Sequence, residues 1–114
     1  MFLFYLDKPI INYFESNMKN KTATVGENVT ITCTVEGFPA PNIKIFHNGK
    51  KLTDVGVKNF KSVKVDDGGH YECNANNSIG NAFENYNFTV KGNQTVFKGE
   101  LYSQILFYWK EYLK

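Results

Sequence analysis

Two stretches of the chain alternate apolar and polar residues with a period of two. In one, Tyr71, Cys73 and Ala75 alternate with His70, Glu72, Asn74 and Asn76; in the other, Val29, Ile31, Cys33 and Val35 alternate with Asn28, Thr30, Thr32 and Thr34. Successive side chains of a β-strand point to opposite faces, so both stretches predict strands buried on one side and wet on the other, with each cysteine turned inward. Asp66, Asp67, Gly68 and Gly69 form turns, glycine supplying backbone angles that residues with a Cβ avoid, so the later strand starts just after them. Downstream, Ala82, Tyr86, Phe88 and Val90 share one parity, while Phe83, Asn85, Asn87, Thr89 and Lys91 share the other, which predicts a further strand. Between Asn48-Gly49, which reads as a hairpin, and the Asp67 turn, Val57, Phe60, Val63 and Val65 are candidates for a buried face. They show no clean alternation through Lys58 to Lys61, so a bulge or irregular edge is expected there. Pro9-Ile10-Ile11 opens a first strand, residues 12 to 20 read as a polar connection, and Thr22 to Val25 as a second short strand. The pattern is all-β.

At the residues around Cys73 the chain resembles the immunoglobulin superfamily, and within it the I-set. Asp67-x-Gly69-x-Tyr71-x-Cys73 is similar to that family's strand-F motif, and Cys73-x-Ala75-x-Asn77-x-x-Gly80 continues it through the F–G turn. Val25-Gly26-Glu27-Asn28-Val29-Thr30-Ile31-Thr32-Cys33 looks like the A′ strand, tight turn and strand B, and Gly37-Phe38-Pro39-Ala40-Pro41-Asn42-Ile43 like the proline-marked B–C turn. The resemblance covers residues 8–92. It implies an immunoglobulin-like antiparallel β-sandwich of Greek-key topology, one disulfide between Cys33 and Cys73 joining the two sheets, and a tyrosine corner in which the Tyr71 hydroxyl bonds back to backbone near Asp67. A bridge closing a loop of about 40 residues is worth on the order of 3–4 kcal/mol by loop-entropy reasoning. It needs an oxidising compartment. The pair of reduced, buried cysteines found in intracellular muscle immunoglobulin domains is the rival.

Two departures from the family pattern matter. Its core tryptophan on strand C falls where this chain has Ile45, so an aliphatic side chain must pack against the disulfide. The segment from Gly49 to Asp67 is also about a dozen residues shorter than is usual for the family, which predicts an abbreviated or missing strand D. Residues 93–114 lie outside the resemblance and form a C-terminal extension. There Leu101, Ile105, Tyr108, Trp109 and Tyr112 recur at helical spacing, which predicts a short amphipathic helix, with a strand or an unordered tail as rivals. The apolar run from Ile105 to Trp109 is far below the roughly 20 residues a membrane span needs, so no membrane insertion by this chain is expected.

A chain of 114 residues fits one domain. A net charge of +2 with interleaved signs gives no footprint for nucleic acid. Met1 to Leu6 are apolar but too few for a signal peptide, and they lack a basic start. An extracellular domain would on this reading be part of a longer protein.

Five Asn-x-Ser/Thr sequons begin at Asn20, Asn28, Asn76, Asn87 and Asn93. Random placement would give about one or two. Asn28, Asn76 and Asn87 have the outward parity of their strands, so sugars fit there; the rival reading is an asparagine-rich protein that never meets the glycosylation machinery. For catalysis, His47 and His70 stand alone as surface or edge-strand histidines without metal-ligand spacing. Asp66, Asp67 and Glu72 read as a turn and an outward strand position, and any partner of Asp67 is expected to be structural, a nearby cation such as Lys58 or Lys61. Both cysteines are committed to the core. No cofactor and no enzymatic activity are expected.

The resemblance implies a protein-binding module of an extracellular or cell-surface protein, acting in adhesion, receptor or matrix recognition, with homophilic pairing among the options. The exposed aromatics Phe46 and Phe83 and the turn Asn77 to Gly80 are its candidate contacts, Phe46 and Phe83 as one apolar patch on a shared face or as residues packed under the C-terminal segment. The alternatives are an intracellular structural domain in a muscle or cytoskeletal tandem array, which would be cytoplasmic, and a secreted growth-factor-binding domain.

Overall fold

The structure is a computed structural model that describes residues 5–92 and 109–113. Among the described residues eight strands form two sheets: β1 (Asp7–Ser16), β2 (Thr22–Thr24), β3 (Val29–Phe38), β4 (Asn42–His47), β5 (Lys50–Thr53), β6 (Val57–Phe60), β7 (Gly69–Asn76) and β8 (Asn81–Lys91). One sheet has the order β1-β3-β6 and the other β2-β8-β7-β4-β5. All pairings are antiparallel except β2 with β8, which run parallel. This is the expected immunoglobulin-like sandwich. After β5 at the rim of the larger sheet the chain crosses directly to β6 at the rim of the smaller one, so strand D is missing among the described residues.

The alternating residues fill the space between the layers. Val29, Ile31, Cys33, Tyr71, Cys73, Ala75, Tyr86, Phe88 and Val90 are all buried. Cys33 and Cys73 are joined by a disulfide, their Cα atoms 6.5 Å apart. Ile45, fully buried, lies opposite Cys73 in the β4–β7 register and so packs beside the bridge in the place of the family's tryptophan. Aromatic packing is concentrated one layer below. His47 stacks on Tyr71 with centroids 4.3 Å apart, Tyr71 stacks on Phe88 at 5.0 Å, and Phe60 meets both Tyr71 and Phe88 edge-on. Offset and edge-on rings each add about 0.5–1.5 kcal/mol beyond the area they bury.

The turns follow from residue type. Asn48 and Gly49, both at positive φ (49° and 85°), make the β4–β5 hairpin. Gly69 starts β7 at φ 125°, a backbone angle that residues with a Cβ rarely adopt, and a Cβ there would press on the end of the Asn48 side chain at 2.8 Å. The Tyr71 hydroxyl donates to the Asp67 carbonyl, the tyrosine corner that the resemblance implied.

Four expectations are corrected. Residues 12–16 belong to β1, and only the remainder of 12–20 is connection; two register shifts, between Asp7 and Ile10 and between Ile11 and Tyr13, flip the parity so that Pro9 and Phe14 both face inward. In the β6 region, Val63 is buried and Phe60 half-buried, but Val57 and Val65 are 43% and 55% exposed. The β3–β6 ladder carries no bulge; the strand instead ends before Ser62, whose φ of 58° turns the chain away and lets Val63 drop into the core. Asp67 pairs with neither Lys58 nor Lys61: its carboxylate accepts the Lys64 backbone N–H at 2.7 Å, capping the 3-10 turn Val65–Asp67. His47 is half-buried under Tyr71 instead of lying on the surface. In the extension, Trp109 to Leu113 make one helical turn closed by a 3.0 Å bond from the Leu113 N–H to the Trp109 carbonyl. Leu101, Ile105 and Tyr108 lie outside the described residues.

Candidate functional site

The outward face of the five-stranded sheet can be read row by row from its register. Lys51, Phe46, Glu72 and Asn85 form one row across β5, β4, β7 and β8. Lys44, Asn74 and Phe83 form the next, and Asn42, Asn76 and Asn81 the one beyond. At the other end His70 faces Asn87, its Nδ1 2.9 Å from the Asn87 Oδ1, and its backbone N–H donates to Asn48 Oδ1 at 3.0 Å. The face is therefore amide-rich, with few charges.

Phe46 and Phe83 share this face, as their parity predicts, but lie two strands and two residues apart. With strands about 4.8 Å apart and about 3.4 Å per residue, the separation is about 12 Å. Glu72 and Asn74 of β7 stand between them. Phe83 is 56% exposed, whereas Phe46 is half-buried beside Lys51. The geometry makes two separate apolar points on a polar sheet.

The outward face of the three-stranded sheet differs. It carries Ile10, Tyr13 and Val57 around Thr30, Thr32 and Thr34, with Asp7, Glu15 and Glu36 among its charges. The Thr30 hydroxyl donates to Asn59 Oδ1 at 2.7 Å, which ties β3 to β6 across this surface.

The F–G turn contains the most connected side chain among the described residues. Asn77 Nδ2 donates to the carbonyls of Asp7 at 2.7 Å and Pro39 at 3.0 Å, and Asn77 Oδ1 accepts the N–H groups of Ile79 and Gly80. One amide thus ties the F–G turn to the start of β1 and to the B–C turn, where the Phe38-Pro39 bond is cis. Asn77 was expected in a candidate contact turn; its clamping role was not expected.

Groups with catalytic potential are dispersed or occupied. Among the described residues no three of His, Cys, Asp and Glu converge as metal ligands. Glu72 stands on the outward sheet face, away from the Asp67 cap. Burial raises the Tyr71 hydroxyl well above its ordinary pKa, with the nearby Asp67 charge adding to the effect. A shallow cleft of about 260 Å³ is lined by Glu15, Ser16, Met18, Asn20, Lys21 and Tyr86. Its Ser16 hydroxyl is engaged with the Tyr86 hydroxyl at 2.6 Å and accepts the Met18 N–H at 3.1 Å.

Four of the five sequon asparagines fall within the described residues. Asn20 lies in the exposed 3-10 turn Lys19–Lys21, Asn28 just before β3, and Asn76 and Asn87 on the outer face of the five-stranded sheet; all four are exposed. Asn93 lies outside the described residues.

Comparison with known proteins accords with this geometry. The sequence profile of the family described as "Immunoglobulin domain" matches residues 8–77. The chain is 32% identical over 96 residues to vascular endothelial growth factor receptor 2 of Coturnix japonica, a match covering 76% of the chain and 7% of the receptor. It is 36% identical over 70 residues to "Cell adhesion molecule-related/down-regulated by oncogenes" of Mus musculus, covering 55% of the chain and 6% of that protein. The chain thus spans less than a tenth of either relative. In three dimensions it is similar to a chimeric titin Z1Z2, with a TM-score of 0.67 and 22% identity over 78% of this chain and all of that one; at that identity the likeness concerns the fold alone.

Proposed function

The chain belongs to the immunoglobulin domain family, and from that premise we propose that it is a non-enzymatic protein-binding module of an extracellular or cell-surface protein, its domain spanning residues 8–92. The observation that carries this reading is the buried Cys33–Cys73 bridge, which ties both sheets together and belongs to an oxidising compartment. The curated relatives support the setting, since they include a receptor and a protein named for cell adhesion. The relationship to a receptor for vascular endothelial growth factor further favours recognition of a secreted protein ligand or of another cell-surface protein. Binding proceeds by surface complementarity, with exposed Phe83 and the loops at the sandwich ends as contacts.

The intracellular tandem-array reading draws on the likeness to titin, which is a likeness of fold, and a bridged core weighs against it. The test is to display the secreted, oxidised chain multivalently and measure its attachment to protease-treated and untreated cells, and to beads carrying the same chain. Protease-sensitive or homophilic attachment, reduced at least tenfold by Phe83→Asp, is expected. Free thiols in folded protein, with no attachment to either surface, would overturn the reading.

A further inference from the structure

We infer that the chain is an N-linked glycoprotein with Asn20, Asn28, Asn76 and Asn87 as its acceptors, an inference that rests on the extracellular reading above. The sequence supplies the motif: each is followed at the second position by a hydroxyl residue, Thr22, Thr30, Ser78 or Thr89. The structure supplies a separate reason. The sugar attaches to the side-chain Nδ2, so an acceptor must reach solvent and must not need that nitrogen for the fold.

All four meet both conditions. Each is exposed, and none donates from Nδ2 to another protein group. Where the fold does use these side chains, it uses the oxygen, which the modification leaves in place. Asn28 Oδ1 accepts the Ser62 N–H at 3.1 Å, and Asn87 Oδ1 faces His70 Nδ1 at 2.9 Å. Asn17 and Asn77 behave oppositely. Both spend Nδ2 on backbone carbonyls, Asn17 on Asn28 and Asn77 on Asp7 and Pro39, and neither begins a sequon. The four sequon asparagines thus have a spare amide nitrogen, as Asn74 and Asn81 also do without a sequon, so the motif selects the acceptors and the geometry permits their modification.

In the transfer, Nδ2 attacks the anomeric carbon of an oligosaccharide carried on a polyisoprenyl pyrophosphate. The N–C bond forms, the C–O bond to pyrophosphate breaks, lipid pyrophosphate leaves with that electron pair, and the lost amide proton passes to a base of the transferring enzyme. Asn76 and Asn87 then place sugar on the outer face of the five-stranded sheet, on either side of Phe83.

The test uses the full chain, secreted from eukaryotic cells behind a supplied signal peptide and alkylated without reduction. Peptides are then mapped after enzymatic deglycosylation in heavy-oxygen water, which marks each formerly glycosylated asparagine. The expected result is blocked thiol reactivity with the mark at Asn20, Asn28, Asn76 and Asn87. An oxidised, secreted chain with those asparagines bare overturns the glycan assignment alone; alkylated cysteines overturn the extracellular reading with it. The amide argument has its own test in the Asn76→Gln/Ile79→Thr variant, which creates a sequon at Asn77. Its glycosylated form is expected to be retained in the cell, whereas Asn76→Gln alone, which removes an acceptor whose side chain makes no hydrogen bond in the protein, leaves the melting temperature unchanged. Equal secretion and stability of glycan-bearing Asn77, or secretion that recovers only when the four acceptors are removed, would overturn the proposal.

Discussion

The imidazole of His47 lies flat against the ring of Tyr71, 8° from parallel, and its Nε2 donates to the carbonyl of Gly68 at 2.9 Å. Because a carbonyl only accepts, Nε2 carries the proton in this arrangement. The ring thus extends the Tyr71–Phe88 stack and fastens the turn before β7. His47→Ala is expected to lower stability by about 1–3 kcal/mol through loss of the stack and an unpaired Gly68 carbonyl, and His47→Phe by about half as much because the ring remains. Urea unfolding of the two variants checks the order; an alanine variant as stable as the parent would contradict the role assigned to the stack.

Tyr71 links that stack to pH. Its hydroxyl is held neutral by burial and by the Asp67 charge, so its folded pKa is raised above the unfolded value. The contribution is fully present below the unfolded tyrosine pKa of about 10 and is lost as pH rises from there toward the folded value. The melting temperature is therefore expected to fall above about pH 10 more steeply in the parent than in Tyr71→Phe. At neutral pH Tyr71→Phe is expected to be less stable by about 1–3 kcal/mol, since the Asp67 carbonyl loses its donor. Parallel pH profiles would show that the hydroxyl does not titrate with unfolding.

How much of this was legible depends on which physical constraint set each feature. Strands β3, β7 and β8 were readable because one face of each is buried and no bulge interrupts the regions that carry the pattern. Strand β1 was only half readable: its bulges move the buried set from Pro9 to Phe14, which no single period describes. The short edge strand β5, with Lys50 and Lys51 both exposed, carries too little apolar signal to stand out. For the surface, parity correctly placed Phe46 and Phe83 on one face, but neighbours depend on register, which the hairpins fix and composition does not. The Asn77 clamp joins residues 70 positions apart and has no local signature.

The Cys33–Cys73 bridge is expected to supply a large share of the stability. Replacing both cysteines by alanine removes a cross-link that closes a loop of about 40 residues, with an expected loss of about 3–4 kcal/mol. An unchanged urea midpoint would mean that packing around Ile45 alone holds the sheets. Gly56→Ala strains the same region, since a Cβ there would sit 2.6 Å from the Cys33 carbonyl while the Gly56 carbonyl still accepts the Cys33 N–H at 2.7 Å.

Ile45→Trp probes whether the core kept room for the family's tryptophan. Ile45 is fully buried opposite Cys73, and the stack of His47, Tyr71 and Phe88 fills the layer beneath it. Insertion of an indole is therefore expected to cost about 1–3 kcal/mol, the usual penalty for overfilling a packed core. A stabilised variant would show that the site retains tryptophan-sized space.

Asn77 provides the most distributed test. Its side chain holds the Asp7 and Pro39 carbonyls with one atom and the Ile79 and Gly80 N–H groups with another. Asn77→Ala leaves all four backbone groups without that partner. The turn is partly exposed, so water replaces some of the bonds, and the expected loss is about 1–2 kcal/mol. Asn77→Asp separates the two halves of the clamp. A carboxylate still accepts from Ile79 and Gly80 but cannot donate to Asp7 and Pro39, whose carbonyl oxygens it would instead repel. Aspartate is therefore expected to keep the F–G turn and free the start of β1. Amide hydrogen exchange should then speed up at Ile10 and Ile11 while remaining slow at Ile79 and Gly80; the alanine variant should speed up all four. Equal exchange at both ends in both variants would mean that β1 is held by its ladder with β3 and not by the turn.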